Sequence, residues 1–278
     1  MAIDPVQEQV DQISQTSPSN LVPVAEVAGE IVDFRQFLPA DVKERLSKSD
    51  AVQEDTELQD RLKAKAIRNG QKAAGLSGLQ LSRTLDNFNA DTPSQQAVLS
   101  LARKLISHIP EQRPLKLKKG LGLYGPSYGG KSHTLEAICN GVIEKCPSAR
   151  VLIYSWESFQ EATKNEVKGR GAEGEEAFVK KLLRQDILFV DEIQLLLTHP
   201  RDWVREPIKS LLWESASKGT PPLCIVSQYS PDELVAAGNK YIGPEVGNRL
   251  KMLCHWERLE GTPEKYTEDN TDDPWWNN

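Results

Sequence analysis

The stretch LGLYGPSYGGKS, residues 121–132, decides how this chain folds. It opens on four residues that suit a buried strand. It then spends three glycines in six positions and ends on a lysine and a serine that lead into the helical run ending near Glu144. Gly125, Gly130, Lys131 and Ser132 fit the spacing G-x4-G-K-[ST]. In that pattern the glycines let the backbone wrap closely, so that successive N–H groups point at a di- or triphosphate. The lysine bridges phosphates, the serine hydroxyl can ligate a divalent cation, and the following helix turns its positive end toward the anion. The expected phosphate loop is Gly125, Pro126, Ser127, Tyr128, Gly129, Gly130, Lys131, Ser132 and His133.

A second stretch supplies a partner. DILFVDEIQ, residues 186–194, is an apolar strand ending in two carboxylates. Asp191, with Ser132, would hold Mg²⁺, and Glu192 would polarise an attacking water. A third strand, in LCIVSQYSPDEL, ends at Ser227 and Gln228. Gln228 could sense the terminal phosphate and orient water; a turn role is open as well, because Ser230, Pro231 and Asp232 follow.

From residue 121 onward strand and helix patterns alternate. The strand candidates are 121–124, 151–155, 187–190, 223–227 and 253–256, which favours an α/β fold with parallel strands. Upstream, TPSQQAVLSLARKLISHI (residues 92–109) reads as a helix. Thr92 is its N-cap, Pro93 its first position, Gln95 the third residue of a capping box, and Val98, Leu101, Leu105 and Ile109 form the apolar stripe. Residues 55–75 read as a helix with Arg61, Lys65, Arg68 and Lys72 on one face, and a separate short helix is expected after Pro39. Residues 1–28 show no sustained period and read as a mobile arm.

Composition sets the bounds. The 278 residues, 38% hydrophobic and 27% charged, suit one large domain with an appended arm. No apolar run approaches the roughly 18 residues of a membrane span, and the N-terminus carries no secretory pattern. The expected localisation is cytoplasmic, with Cys139, Cys146, Cys224 and Cys254 as reduced, buried thiols. The net charge of −6 is unevenly spread. Residues 1–60 hold 13 acids and 4 bases, residues 61–120 hold 3 acids and 12 bases, and the remainder holds 24 acids and 18 bases. The basic stretch reads either as a phosphate-binding strip or as an ordinary solvated helix face; it could also pair with the acidic arm.

Several segments together resemble the DnaC/IstB-like branch of the AAA+ ATPases, the helicase loaders and transposition helpers of bacteria and phages. LDNFNADTPSQQAVLSLARK, LGLYGPSYGGKSHTLEAI, DWVREPIKSLLWESASKGTPPLCIVSQYSPDEL and GNRLKMLCHWERLEG carry the resemblance over about two-thirds of the chain. It implies a P-loop AAA+ (ASCE) core with a five-stranded parallel sheet flanked by helices, plus a mostly helical or disordered N-terminal arm. It also implies ATP hydrolysis at a subunit interface of a nucleotide-dependent homo-oligomer, with ATP and Mg²⁺ as ligands. Single-stranded DNA and a replicative DNA helicase, or a transposase in the alternative, are the implied partners. Catalytic roles fall on Lys131, Glu192, Gln228 and Arg249, the last as an arginine finger or as a salt bridge in its own subunit. Gln228 stands where relatives usually have Asn, Gln194 where they often have Gly, and Glu214-Ser215 where they often have aromatic and arginine residues. The expected organisation is an acidic partner-docking arm (1–60), a basic helical linker (61–91), the ATPase core (92–262) and an acidic flexible tail (263–278).

Overall fold

In the computed structural model, residues 24–27, 30–33, 40–198, 201–243 and 246–261 are described. The expectations for residues 1–23 and for the tail from 263 lie outside them. The chain divides into two compact units, Met1–Lys65 and Ala66–Asn278.

In the first unit, β1 (Val24–Val27) pairs antiparallel with β2 (Glu30–Asp33). Part of the expected mobile arm is thus a hairpin. Its strands, VAEV and EIVD, are four residues each and show no alternation of polar and apolar residues that would announce them in sequence. The two helices expected in 40–75 are one, α1 (Ala40–Ala74), of 35 residues. The stretch between them contains neither glycine nor proline, so nothing in the backbone stops the helix there.

The second unit is built on a five-stranded, wholly parallel sheet. Its strands are β3 (Gly120–Tyr124), β4 (Val151–Tyr154), β5 (Ile187–Val190), β6 (Leu223–Ser227) and β7 (Cys254–Arg258). They lie in the order β4-β5-β6-β3-β7. All five expected strands are present, the last beginning one residue later. Helices cover both faces, so the central strands are apolar throughout rather than alternating. Their period of two still sorts side chains. Leu121, Leu123, Ile187, Phe189, Cys224 and Val226 enter one core, with α2 (Pro93–Ser107) and α3 (Lys131–Lys145). Leu188, Val190, Leu223 and Ile225 enter the other, with α4 (Trp156–Val167), α5 (Ala172–Leu183), α6 (Ile193–Thr198), α7 (Asp202–Lys218), α8 (Pro231–Tyr241) and α9 (Val246–Leu253). The four cysteines are free and buried.

The start of α2 follows its sequence signature. Thr92 accepts from the Gln95 N–H at 3.2 Å, and the Gln95 side chain accepts from the Thr92 N–H at 2.9 Å. The same Gln95 side chain donates to the Gly129 carbonyl at 3.4 Å, so this cap also braces the glycine loop.

Candidate nucleotide site

The site lies where parallel α/β sheets usually place ligands, beyond the carboxyl ends of the strands. Three strand tips converge on a cleft of about 540 Å³: the loop after β3, the Asp191-Glu192 turn after β5, and Ser227-Gln228 after β6.

Between β3 and α3 the loop is held on two sides. Gly130, at φ 88°, is the N-cap of α3; a Cβ there would meet the Phe88 ring at 2.3 Å. Gly125, at φ 138°, passes so close to the chain after β7 that a Cβ would lie 2.3 Å from the Leu259 carbonyl oxygen. Leu259 is fixed in turn by donating its N–H to Tyr124 at 2.7 Å. Tyr128 adopts φ 66° without the freedom of a glycine and is largely exposed at the cleft. His133 lies against the Phe88 ring, with Nε2 3.0 Å from Asn87 Oδ1 and 3.1 Å from the Thr84 carbonyl. The segment 84–88 thus clasps the first turn of α3.

Lys131 is 6% exposed. Its ammonium donates to the Gly125 carbonyl at 2.9 Å and to that of Pro126. Burial pulls its pKa below the ordinary lysine value, while Asp191 and Glu192 oppose that shift.

Asp191 extends the β5 ladder by donating its N–H to Tyr154 at 2.8 Å. Burial pushes its carboxyl above the usual aspartate value; hydrogen bonds from the Ser132 hydroxyl and the Glu192 N–H (2.9 Å) and the charges of Lys131 and Arg83 work against this. Ser132 of the phosphate loop and Asp191 of the carboxylate turn line the same cleft. A hydroxyl and a carboxylate side by side form the hard-oxygen donor set that suits Mg²⁺, so these residues fit the metal. Glu192 stands at φ 54°, a left-handed conformation rare for a glutamate. Burial, then the neighbouring Asp191 and Glu157, push its carboxyl above the ordinary range.

Gln228 lines the cleft, its side chain exposed. Its N–H donates to the side-chain oxygen of buried Gln194 at 3.3 Å, so the residue standing where relatives often have glycine braces the tip of β6. Arg249 is not among the cleft-lining residues. It sits on α9 with its guanidinium carbon 3.3 Å from the ring centroid of Trp213 on α7. The cleft also contains Arg83 and Ser227, to which the sequence assigns no role in the site. Ser227 had a signal, its place at a strand tip. Arg83 had none, since it reaches the cleft from a 3₁₀ turn (Gly78–Ser82) far from any motif.

Comparison with known proteins agrees with this geometry. A sequence profile of the bacterial DnaA ATPase domain matches residues 79–236. The chromosomal replication initiator protein DnaA of Acinetobacter baumannii is 33% identical over 104 residues, 37% of this chain and 21% of that protein. This chain therefore spans about a fifth of the length of that relative. Among solved structures, the DnaC helicase loader superposes with a TM-score of 0.53 at 18% identity, covering 66% of this chain and 100% of that one. AMPPCP-bound DnaA from Aquifex aeolicus gives a TM-score of 0.52 at 17% identity, over 66% of this chain and 52% of that one. With its parallel sheet, phosphate loop and paired carboxylates, the chain belongs to the family of bacterial DnaA ATPase domains, which are AAA+ P-loop ATPases.

Proposed function

We propose that this protein uses ATP binding and hydrolysis to load or remodel a replicative DNA helicase on single-stranded DNA. The observation that carries the ATPase part is the single cleft lined by buried Lys131, Ser132, Asp191 and Glu192, where the phosphate loop meets the carboxylate turn. Lys131 would compensate phosphate charge in the ground state. Ser132 and Asp191 would hold Mg²⁺, which when bound neutralises and orients phosphate oxygens. Glu192, its basicity raised by burial, would take the proton of the attacking water, and Gln228 would orient that water. Arg249 would act in trans on the nucleotide of a neighbouring subunit in a nucleotide-dependent homo-oligomer, a use that suits a planar cation.

The helicase part rests on charge. Arg61, Lys65, Arg68 and Lys72 are exposed on α1, and with Lys116, Lys118 and Lys119 they offer cations to a polyanion. The acidic 1–60 segment would dock the partner; its 13 acids against 4 bases favour a loader over a transposition helper that must coat DNA. An initiator role is the second reading, favoured by the DnaA profile.

ATP turnover measured with and without single-stranded DNA tests the first part. Stimulated turnover that Lys131→Ala abolishes is expected; turnover unaffected by Lys131→Ala would overturn the site. Capture of purified replicative helicase by a 1–60 fusion tests the second. Binding to a transposase instead would move the function to transposition, and binding to neither would favour the initiator reading.

A further inference from the structure

Arg83 caps the 3₁₀ turn Gly78–Ser82, and its side chain, 33% exposed, lines the same cleft as Lys131, Ser132, Asp191 and Glu192. One guanidinium nitrogen, Nη1, donates to Glu136 Oε2. Glu136 lies on α3 five residues after Lys131, and its side chain is 7% exposed. Its other oxygen accepts from Gln80 Nε2 at 2.8 Å. The backbone of the turn is fixed as well. Buried Asn140 donates to the carbonyls of Gln80 and Arg83 at 2.8 and 2.9 Å, and accepts from Gln71 Nε2 of α1 at 2.9 Å.

This arrangement is more than a tie between a turn and a helix needs. A buried carboxylate is costly, and an apolar pair of the same size would join the two elements as well or better. What the ion pair adds is a guanidinium held in a set position. The group has five N–H donors, and Glu136 engages it through Nη1. Arg83 shares one cleft with both the phosphate loop and the carboxylate turn.

We infer that Arg83 is a nucleotide-binding residue acting in cis, which contacts the terminal phosphate and separates triphosphate from diphosphate, with Glu136 and Gln80 as its positioning residues. This rests on the reading of the cleft as an ATP site. It assigns to the chain's own subunit a phosphate-reading arginine distinct from Arg249.

The test is titration of the full-length protein and its variants with fluorescent ATP and ADP analogues, alongside thermal melting. Arg83→Ala is expected to weaken ATP binding about tenfold or more, the scale of one charge-assisted hydrogen bond, and ADP binding by less than about threefold. Arg83→Lys should keep part of the preference. Glu136→Gln, which keeps Arg83 but loosens its anchor, should reduce the preference while leaving ADP affinity intact. If Arg83→Ala fails to fold, the Lys and Glu136→Gln variants decide. Lower melting temperatures with an unchanged ATP-to-ADP affinity ratio in every folded variant would overturn the inference and leave Arg83 a structural tie. Failure of the underlying reading looks different: the parent protein would bind neither nucleotide, or Lys131→Ala would change nothing.

Discussion

Two aspartates flank the four residues of β5, and they live under opposite rules. Asp186, just before the strand, has a side chain only 8% exposed and is surrounded by donors. It accepts from the Arg150 N–H at 2.8 Å, from Arg150 Nη2 at 3.2 Å, and from Arg113 Nε at 2.5 Å. Burial would raise its pKa, but the hydrogen bonds from the Arg150 backbone, Arg113 and Arg150 together bring it below the ordinary aspartate value. Asp191, just after the strand, meets one hydroxyl, one N–H and two more distant cations, and burial wins. The lower end of the sheet is finished; the upper end has carboxylate capacity to spare. That surplus costs stability and is what a cation-binding turn requires.

The largest effect should come from the upper end. Glu192→Gln is expected to leave ATP binding near the parent level and to lower turnover about 10²–10⁴-fold, because the lost group acts on the water in the transition state. Steady-state turnover and nucleotide titration on the same preparation check it. Parent-rate hydrolysis would remove Glu192 as the base.

Next comes the lower end. Asp186→Asn should destabilise the fold by about 1–3 kcal/mol, because it strands the arginine and backbone donors, and should leave the turnover of folded protein unchanged. Urea denaturation with parallel activity measurements would show this. A loss of turnover without a loss of stability would break the division between the two ends.

The two ends should also titrate with opposite sign. Asp186 has its native pKa below the unfolded value of 3.8, so its contribution is present above about pH 4 and is lost as pH falls through the native value. Asp191 and Glu192 have native values raised above 3.8 and 4.5, so the native state keeps protons that the unfolded chain releases. Their contribution is full below about pH 4 and is lost as pH rises through the native values. In denaturation across this range without nucleotide, Asp191→Asn should reduce the fall in stability toward neutral pH. An Asp191→Asn protein with the parent's pH profile would contradict the assignment.

The smallest effect concerns backbone strain. Glu192→Gly should be more stable than Glu192→Gln by about 1 kcal/mol, since only the glycine adopts φ 54° freely, with both inactive. Equal stabilities would mean that the turn stores no strain.

Much of this site could be read in the sequence because its parts are local. Gly125 to Ser132 is one run, Asp191 and Glu192 are neighbours, and each strand tip follows an apolar stretch of the right length. The unread parts span long separations. Arg83 meets Glu136 across 53 residues, and Gln194 meets Gln228 across 34. The stacking of Arg249 on Trp213 joins two helices whose periodicities say only that each has an inner face. The long α1 was divided in sequence because its polar middle carries no apolar stripe, whereas a helix needs only the absence of a breaker to continue. Asp186 read as the residue before a strand, and no pattern in the sequence announced its two arginines.

The contact between Gly125 and Leu259 bears on the order in which a ribosome makes this protein. The phosphate loop emerges first, yet the strands that flank β3 are made about a hundred residues later or more, and its rear wall, Leu259, comes after both. Until then β3 has an unpaired edge on each side, a template for wrong partners. Nascent chains halted before β7 has emerged should therefore carry every residue of the glycine loop and still fail to retain nucleotide. Competence to bind would arrive only after β7 is made, which delays the switch until the whole sheet exists to respond to it.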